Sequence, residues 1–205
     1  MMLVKICGLR RTEDISFVNE AGPDYAGFIL SGGFKRSIDP GTFLKLKASL
    51  DKRIKTVGVF VDEPISEIEK NFPEKPDVIQ LHGNEDNDYI KKLRSCFDGE
   101  IWKAVRADSA AAIERADRLG ADRLLIDSFV KGAVGGTGKT ADTQIIKGAK
   151  FKTPFMLAGG VSAENVRQLT EGLGAVGVDA SSSCETEGIK DRDKILALVR
   201  AVREL

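Results

Sequence analysis

Leu3-Val4-Lys5-Ile6-Cys7-Gly8 is the stretch on which the reading of this chain turns. An apolar-rich run ends in a cysteine, and the glycine directly behind it frees the backbone to turn. Seven later segments repeat the layout, at residues 24–30, 54–61, 77–81, 100–105, 123–127, 154–158 and 175–179. Each is a short apolar run that stops at a polar or glycine-rich turn. Between them lie segments with helical spacing of apolar residues. Phe43, Leu46 and Leu50 follow a helix start at Asp39-Pro40, and Ile195, Leu198, Val199 and Val202 form the stripe of the closing helix. Thr12, Asn84, Ser109 and Ser162 are the predicted caps of four other helices.

Eight strands thus alternate with eight helices, with a strand roughly every 25 residues, the pattern of a parallel sheet covered by helices. Several strands are nearly continuous apolar runs, as expected when both faces are buried. An open doubly wound sheet would carry a dinucleotide fingerprint behind its first strand, and Cys7-Gly8-Leu9-Arg10 is not one. The fold class is therefore α/β, a closed (β/α)8 barrel forming a single domain over residues 1–205.

Composition narrows the function. Lys plus Arg and Asp plus Glu both number 31, so the formal net charge is zero and no basic excess points to nucleic acid. No apolar run is long enough to span a membrane, and no export signal is recognisable at the start, so the expected location is the cytoplasm. The three cysteines, Cys7, Cys96 and Cys184, are widely separated, lack zinc spacing and read as reduced thiols. A single histidine, His82, argues against a histidine-based metal site, and no cofactor is expected. A monomer is favoured slightly over an oligomer.

In a (β/α)8 barrel the chemistry lies at the carboxyl ends of the strands, with phosphate bound by the loops after strands seven and eight. The side chains at those ends are Cys7, Arg36, Gln80, His82, Arg106, Asp127 and Asp179. Gly159-Gly160 and Ser181-Ser182 are the backbone anion candidates, because a helix start offers free N–H groups. Asp127 ends the apolar run Leu124-Leu125-Ile126. It either caps a loop or pairs with a lysine, or it is a carboxylic acid kept protonated by partial burial and able to donate that proton. Cys7 is either a buried plug or a thiolate base. Strand parity puts Lys5 and Cys7 on one side of the first strand, and leaves open whether that side faces the barrel axis or the helices. Arg36 is either a solvated surface residue or a planar fork for a carboxylate. Gly136-Thr137-Gly138-Lys139-Thr140 is not a triphosphate loop, since Ala133 stands where the motif requires glycine; it reads as a mobile active-site loop.

Five motifs in order give the chain a resemblance to the phosphoribosylanthranilate isomerases of tryptophan biosynthesis. They are Val4-Lys5-Ile6-Cys7-Gly8-Leu9, Gln80-Leu81-His82-Gly83, Leu125-Ile126-Asp127-Ser128 with Gly135–Gly138, Ala158-Gly159-Gly160-Val161 with Glu164-Asn165-Val166, and Val178-Asp179-Ala180-Ser181-Ser182 with Gly188–Asp191. The resemblance covers essentially the whole chain. It implies a cofactor-free Amadori rearrangement of a small phosphorylated substrate. Cys7 would be the general base and Asp127 the general acid. Arg36 would bind the anthranilate end, Gln80 would contact the substrate, and Asp179 would bond near the sugar. Gly159, Gly160, Ser181 and Ser182 would hold the phosphate.

The chain departs from the family pattern at three places. Ser183-Cys184 stand where the family usually has Gly-Val, Ser31-Gly32-Gly33-Phe34-Lys35-Arg36 replaces a Ser-Pro-Arg lead-in, and Thr140–Thr143 lacks flanking aromatics. His82 reads as a structural turn residue, and Cys96 and Cys184 as structural or incidental. Indole-glycerol-phosphate synthase would call for a catalytic lysine and glutamate pair at strand ends, and a pentose-phosphate epimerase for several histidines. Two readings stay beside the main one: an isomerase that also takes the related histidine-pathway substrate, and a non-catalytic phosphosugar binder.

Overall fold

The computed structural model describes residues 1–127 and 143–205. Eight parallel strands close into a barrel in sequence order: β1 (Leu3–Cys7), β2 (Tyr25–Ile29), β3 (Lys55–Phe60), β4 (Val78–Leu81), β5 (Glu100–Arg106), β6 (Arg123–Asp127), β7 (Phe155–Ala158) and β8 (Gly177–Ala180). The seam pairs β1 with β8, Lys5 opposite Asp179. Helices follow the strands: α1 (Thr12–Ala21), α2 (Pro40–Ser49), α3 (Ile65–Asn71), α4 (Asn87–Arg94), α5 (Ala110–Asp117), α6 (Thr143–Gly148), α7 (Val166–Thr170) and α8 (Arg192–Arg203). The glycine-rich loop after β6, with Ser128 and Thr140 of the quoted motifs, lies outside the described residues.

Strand alternation divides the apolar residues into two cores. Residues such as Val4, Ile6, Phe28, Leu81, Ile126 and Leu157 point outward and pack under the helices. Tyr25, Val57, Val78, Trp102 and Met156 point inward and fill the amino end of the barrel. The Tyr25 and Trp102 rings meet edge to face with centroids 4.8 Å apart. The Arg123 guanidinium lies 4.8 Å from the centre of the Trp102 ring, and Trp102 Nε1 donates to Glu100 Oε2 at 2.9 Å. This plug closes one end of the barrel and leaves the carboxyl end for a pocket.

A repeated device sets the strand register. The Asp24 carboxylate accepts from Val4 N, that of Asp77 from Thr56 N and that of Asp122 from Ile101 N, each at 2.7 Å. In each case an aspartate immediately before an even-numbered strand satisfies an amide in the preceding odd-numbered strand.

Several predicted caps fall one or more residues away. Arg11 precedes α1 and Thr12 is its first residue, while the Asp14 carboxylate accepts from the Arg10 and Arg11 amides. Asp86, not Asn84, caps α4, and accepts from Tyr89 N. Asn84 N instead donates to Asp62 Oδ1. Helix α7 begins at Val166 behind Asn165, so Ser162 opens a turn rather than the helix proper. Asp39 and Ser109 cap α2 and α5 as expected. A hairpin of two short strands, β9 (Glu185–Thr186) and β10 (Ile189–Lys190), precedes α8 and was not expected.

Candidate active site

The carboxyl ends of the strands surround a pocket of about 420 Å³. Cys7, Arg36, Gln80, His82, Asp127, Asp179, Gly159, Gly160, Ser181 and Ser182 all line it, so of the strand-end candidates named from the sequence only Arg106 stands outside this cavity.

Cys7 ends β1 and is buried, with its side chain toward the barrel axis. Its neighbour in register on β2 is Gly27. A Cβ at Gly27 would lie 2.9 Å from Cys7 Sγ and 3.1 Å from Lys5 Cε. The missing side chain therefore makes room for both groups, which settles the parity question: Lys5 and Cys7 share the inside of the barrel. Lys5 Nζ donates to Asp179 Oδ1 at 2.9 Å. Burial alone would lower the Lys5 pKa, but the charges of Asp179 and Cys7 outweigh it and hold the ammonium above its ordinary value.

Gln80 Nε2 lies 3.1 Å from His82 Nδ1, and Gln80 Oε1 is buried with no hydrogen-bond partner among the described residues. A ligand donor reaching that oxygen would remove a desolvation cost. His82 is not simply a turn residue, because its ring lines the pocket. The residue keeps solvent access at the mouth of the pocket, while desolvation by the surrounding protein, and then the Lys5 charge, push its pKa below the ordinary imidazole value. Asp127 ends β6 on the opposite wall and also borders a second recess of about 280 Å³, shared with His82, Asn84, Arg106 and Asp108. Arg106 belongs to that recess and not to the main pocket.

Arg36 is not a solvated surface residue. Its Nε and Nη2 donate to Glu185 Oε1 and Oε2, each at 2.7 Å. The loop that carries it is pinned at its base. Ser31 Oγ accepts from Val61 N and donates to Glu63 Oε2, and Ser37 Oγ donates to Ser31 O at 2.6 Å.

Two turns form the remaining wall. Gly159 and Gly160 have φ of 97° and 70°, a conformation that excludes most side chains. Asn165 holds that turn by donating to Gly160 O and accepting from Ser162 N. Ser181 leads into a 3-10 turn over Ser182–Cys184. Ser183 occupies the usual glycine position without a positive φ, and its hydroxyl donates to Val161 O, joining the two turns. Cys184 is buried beside them, and burial pushes its thiol up to about 11.

Sequence reading missed the groups that orient this site. Lys190 Nζ donates to Glu185 Oε1 and to Ser181 O, both at 2.8 Å. Glu185 directly follows the Ser183-Cys184 departure in sequence, but only the fold brings it to Arg36, 149 residues away. The arrangement combines a thiol and a carboxyl group in one pocket, a guanidinium at its rim and two glycine- or serine-rich turns. Together these can bind an anion at one end and a carboxylate at the other, with proton transfer between.

The family model described as N-(5'phosphoribosyl)anthranilate (PRA) isomerase matches residues 4–201. The isomerase of that name from Thermoanaerobacter pseudethanolicus is 40% identical over 204 residues, covering 99% of this chain and 98% of its own. That of Endomicrobium trichonymphae is 41% identical over 209 residues and covers both chains fully. The crystal structure of the Thermotoga maritima enzyme superposes with a TM-score of 0.88 at 32% identity over the full length of both chains. A phosphoribosyl anthranilate isomerase crystallised with reduced 1-(o-carboxyphenylamino)-1-deoxyribulose 5-phosphate gives 0.85 at 30% identity, again over both full lengths. The chain belongs to the N-(5'-phosphoribosyl)anthranilate isomerase family.

Proposed function

We propose that the protein converts N-(5-phosphoribosyl)anthranilate to 1-(2-carboxyphenylamino)-1-deoxyribulose 5-phosphate. The single observation that carries this reading is the convergence of Cys7, Asp127, Arg36 and the two phosphate turns on one pocket. The reaction is an internal redox change, so it needs acid and base but no external oxidant.

Asp127 protonates the ribose ring oxygen as the C1–O bond breaks, and the nitrogen lone pair forms an iminium at C1. The iminium acidifies the C2 proton, so a thiolate is a sufficient base, and Cys7 removes it to leave an enolamine. Reprotonation at C1 and loss of the C2 hydroxyl proton give the ketone, and the two side chains return to their starting states. Asp179, fixed by Lys5, bonds to the sugar, and Gln80 Oε1 accepts from a substrate hydroxyl. Arg36 takes the anthranilate carboxylate. Backbone amides around Gly159, Gly160, Ser181 and Ser182 take the phosphate. With three free cysteines the protein suits a reducing compartment, and we place it in the cytoplasm.

The test is the fluorescence of phosphoribosylanthranilate after protein is added. Loss of the substrate signal faster than its spontaneous decay is expected. A folded sample that leaves the decay unchanged contradicts the reading.

A further inference from the structure

Arg36 presents two edges, and the protein uses one of them. Glu185 takes Nε–H and one hydrogen of Nη2. The end-on edge, Nη1 with the second hydrogen of Nη2, makes no hydrogen bond to the described residues. Arg36 lines the pocket, and it reaches its place by crossing the end of β1 over Gly8, where a Cβ would lie 2.6 Å from Arg36 Cδ. The Glu185 side chain is 5% exposed and that of Lys190 is 2% exposed. Lys190 bonds both to Glu185 and to the carbonyl of Ser181, the residue that opens the phosphate turn.

The cluster of Arg36, Glu185 and Lys190 carries one net positive charge. Glu185 can therefore fix the guanidinium without cancelling its attraction for an anion. A flexible arginine would lose rotamer freedom on binding a carboxylate, and a pre-aimed fork loses less. We propose that Glu185 is a positioning residue that aims the free edge of Arg36 at the aryl carboxylate of the substrate. Through Lys190 it also ties that aim to the phosphate turn. The pocket then holds two anion sites at a fixed separation, which selects phosphosugars carrying a carboxylate on the far aryl ring. The inference rests on the reading of Arg36 as the carboxylate clamp.

Calorimetry with two ligands tests it: reduced 1-(2-carboxyphenylamino)-1-deoxyribulose 5-phosphate, and the same compound without its carboxylate. Inorganic phosphate serves as a third probe. The full-length protein is compared with Glu185→Gln and Arg36→Gln. The native protein is expected to prefer the carboxylate ligand, and Glu185→Gln to lose about tenfold or more of that preference, the scale of one misaligned charge-assisted pair. Its affinity for inorganic phosphate should stay within about twofold of native, because the phosphate sites are backbone groups. In turnover the same change should raise KM more than it lowers kcat. If Glu185→Gln does not fold, Glu185→Asp keeps the charge but shortens the reach, and the same loss of preference is expected. The inference is overturned if the preference survives or grows in the Glu185 variant, or if phosphate affinity falls in parallel. If Arg36→Gln loses the preference while Glu185→Gln keeps it, only the positioning role fails. If Arg36→Gln keeps it too, the clamp reading fails and takes the positioning role with it.

Discussion

Lys5 and Asp179 stand opposite each other across the seam where the first strand meets the last, with Nζ 2.9 Å from Oδ1. The lysine side chain is wholly buried and the aspartate is 10% exposed. Removing one partner leaves the other charge inside the barrel without its ion-pair partner. Asp179→Asn or Lys5→Met should each cost about 3–5 kcal/mol in urea unfolding. The double change should cost clearly less than the sum of the two, because it leaves no orphaned charge. Equal and additive losses would contradict the pairing.

Glu185 predicts how the rim responds to acid. Burial alone would raise its pKa, but hydrogen bonds and charge from Arg36 and Lys190 pull the carboxyl from its ordinary 4.5 down to about 2. A lowered carboxyl contributes stability that is complete above its ordinary value and is lost as pH falls through the folded value. The decline attributable to this residue should therefore run from about pH 5 to pH 2. It should be absent in Glu185→Gln. Unfolding curves at several pH values for both proteins check this, and identical pH dependence would contradict it.

His82 offers a single-signal probe, since the chain has one histidine and it lines the pocket. Desolvation and the Lys5 charge lower its pKa from 6.5. Its imidazole resonance should titrate with a midpoint below 6.5 in the folded protein and return toward that value in urea. By linkage, the neutral ring favours the fold above the ordinary value, and that contribution is lost as pH falls below it. A folded midpoint at or above 6.5 would contradict this and would mean that the carboxylates of Asp179 and Asp127 outweigh desolvation and the Lys5 charge.

The strand ends were the legible part of this protein. Apolar runs that stop at Cys7, Asp127 and Gly159 mark the mouth of a parallel barrel, and a short alternating period fixes which end carries the site. Strand parity could pair Lys5 with Cys7 but could not choose a face. The choice depends on Gly27 in the neighbouring strand, whose lack of a side chain gives both groups room. The Arg36–Glu185 contact was not legible, because a hydrogen bond between residues 149 apart leaves no local pattern. The hairpin that carries Glu185 was missed for a related reason. Its strands have two residues each, and its turn uses Glu187 at φ 53° and Gly188 at φ 76° instead of a stronger turn pair. Asp24 and Asp77 read only as the first residues of strand segments and Asp122 is not singled out, and only the fold reveals their shared partner type. Ser183 stands where the family usually has a glycine, beside the phosphate turn. The backbone there needs no positive φ, and the added hydroxyl supplies a bond to Val161 O.

The most direct test of the central claim is single-turnover conversion of phosphoribosylanthranilate by the native protein, Cys7→Ala and Asp127→Asn, with binding of the reduced product analogue measured in parallel. Removal of a positioned acid or base should slow turnover by about 10²–10⁴-fold. Affinity for the analogue should stay near native, since Arg36 and the phosphate turns are untouched. Native turnover in either variant would contradict the division of proton transfer between the thiol of β1 and the carboxyl group of β6.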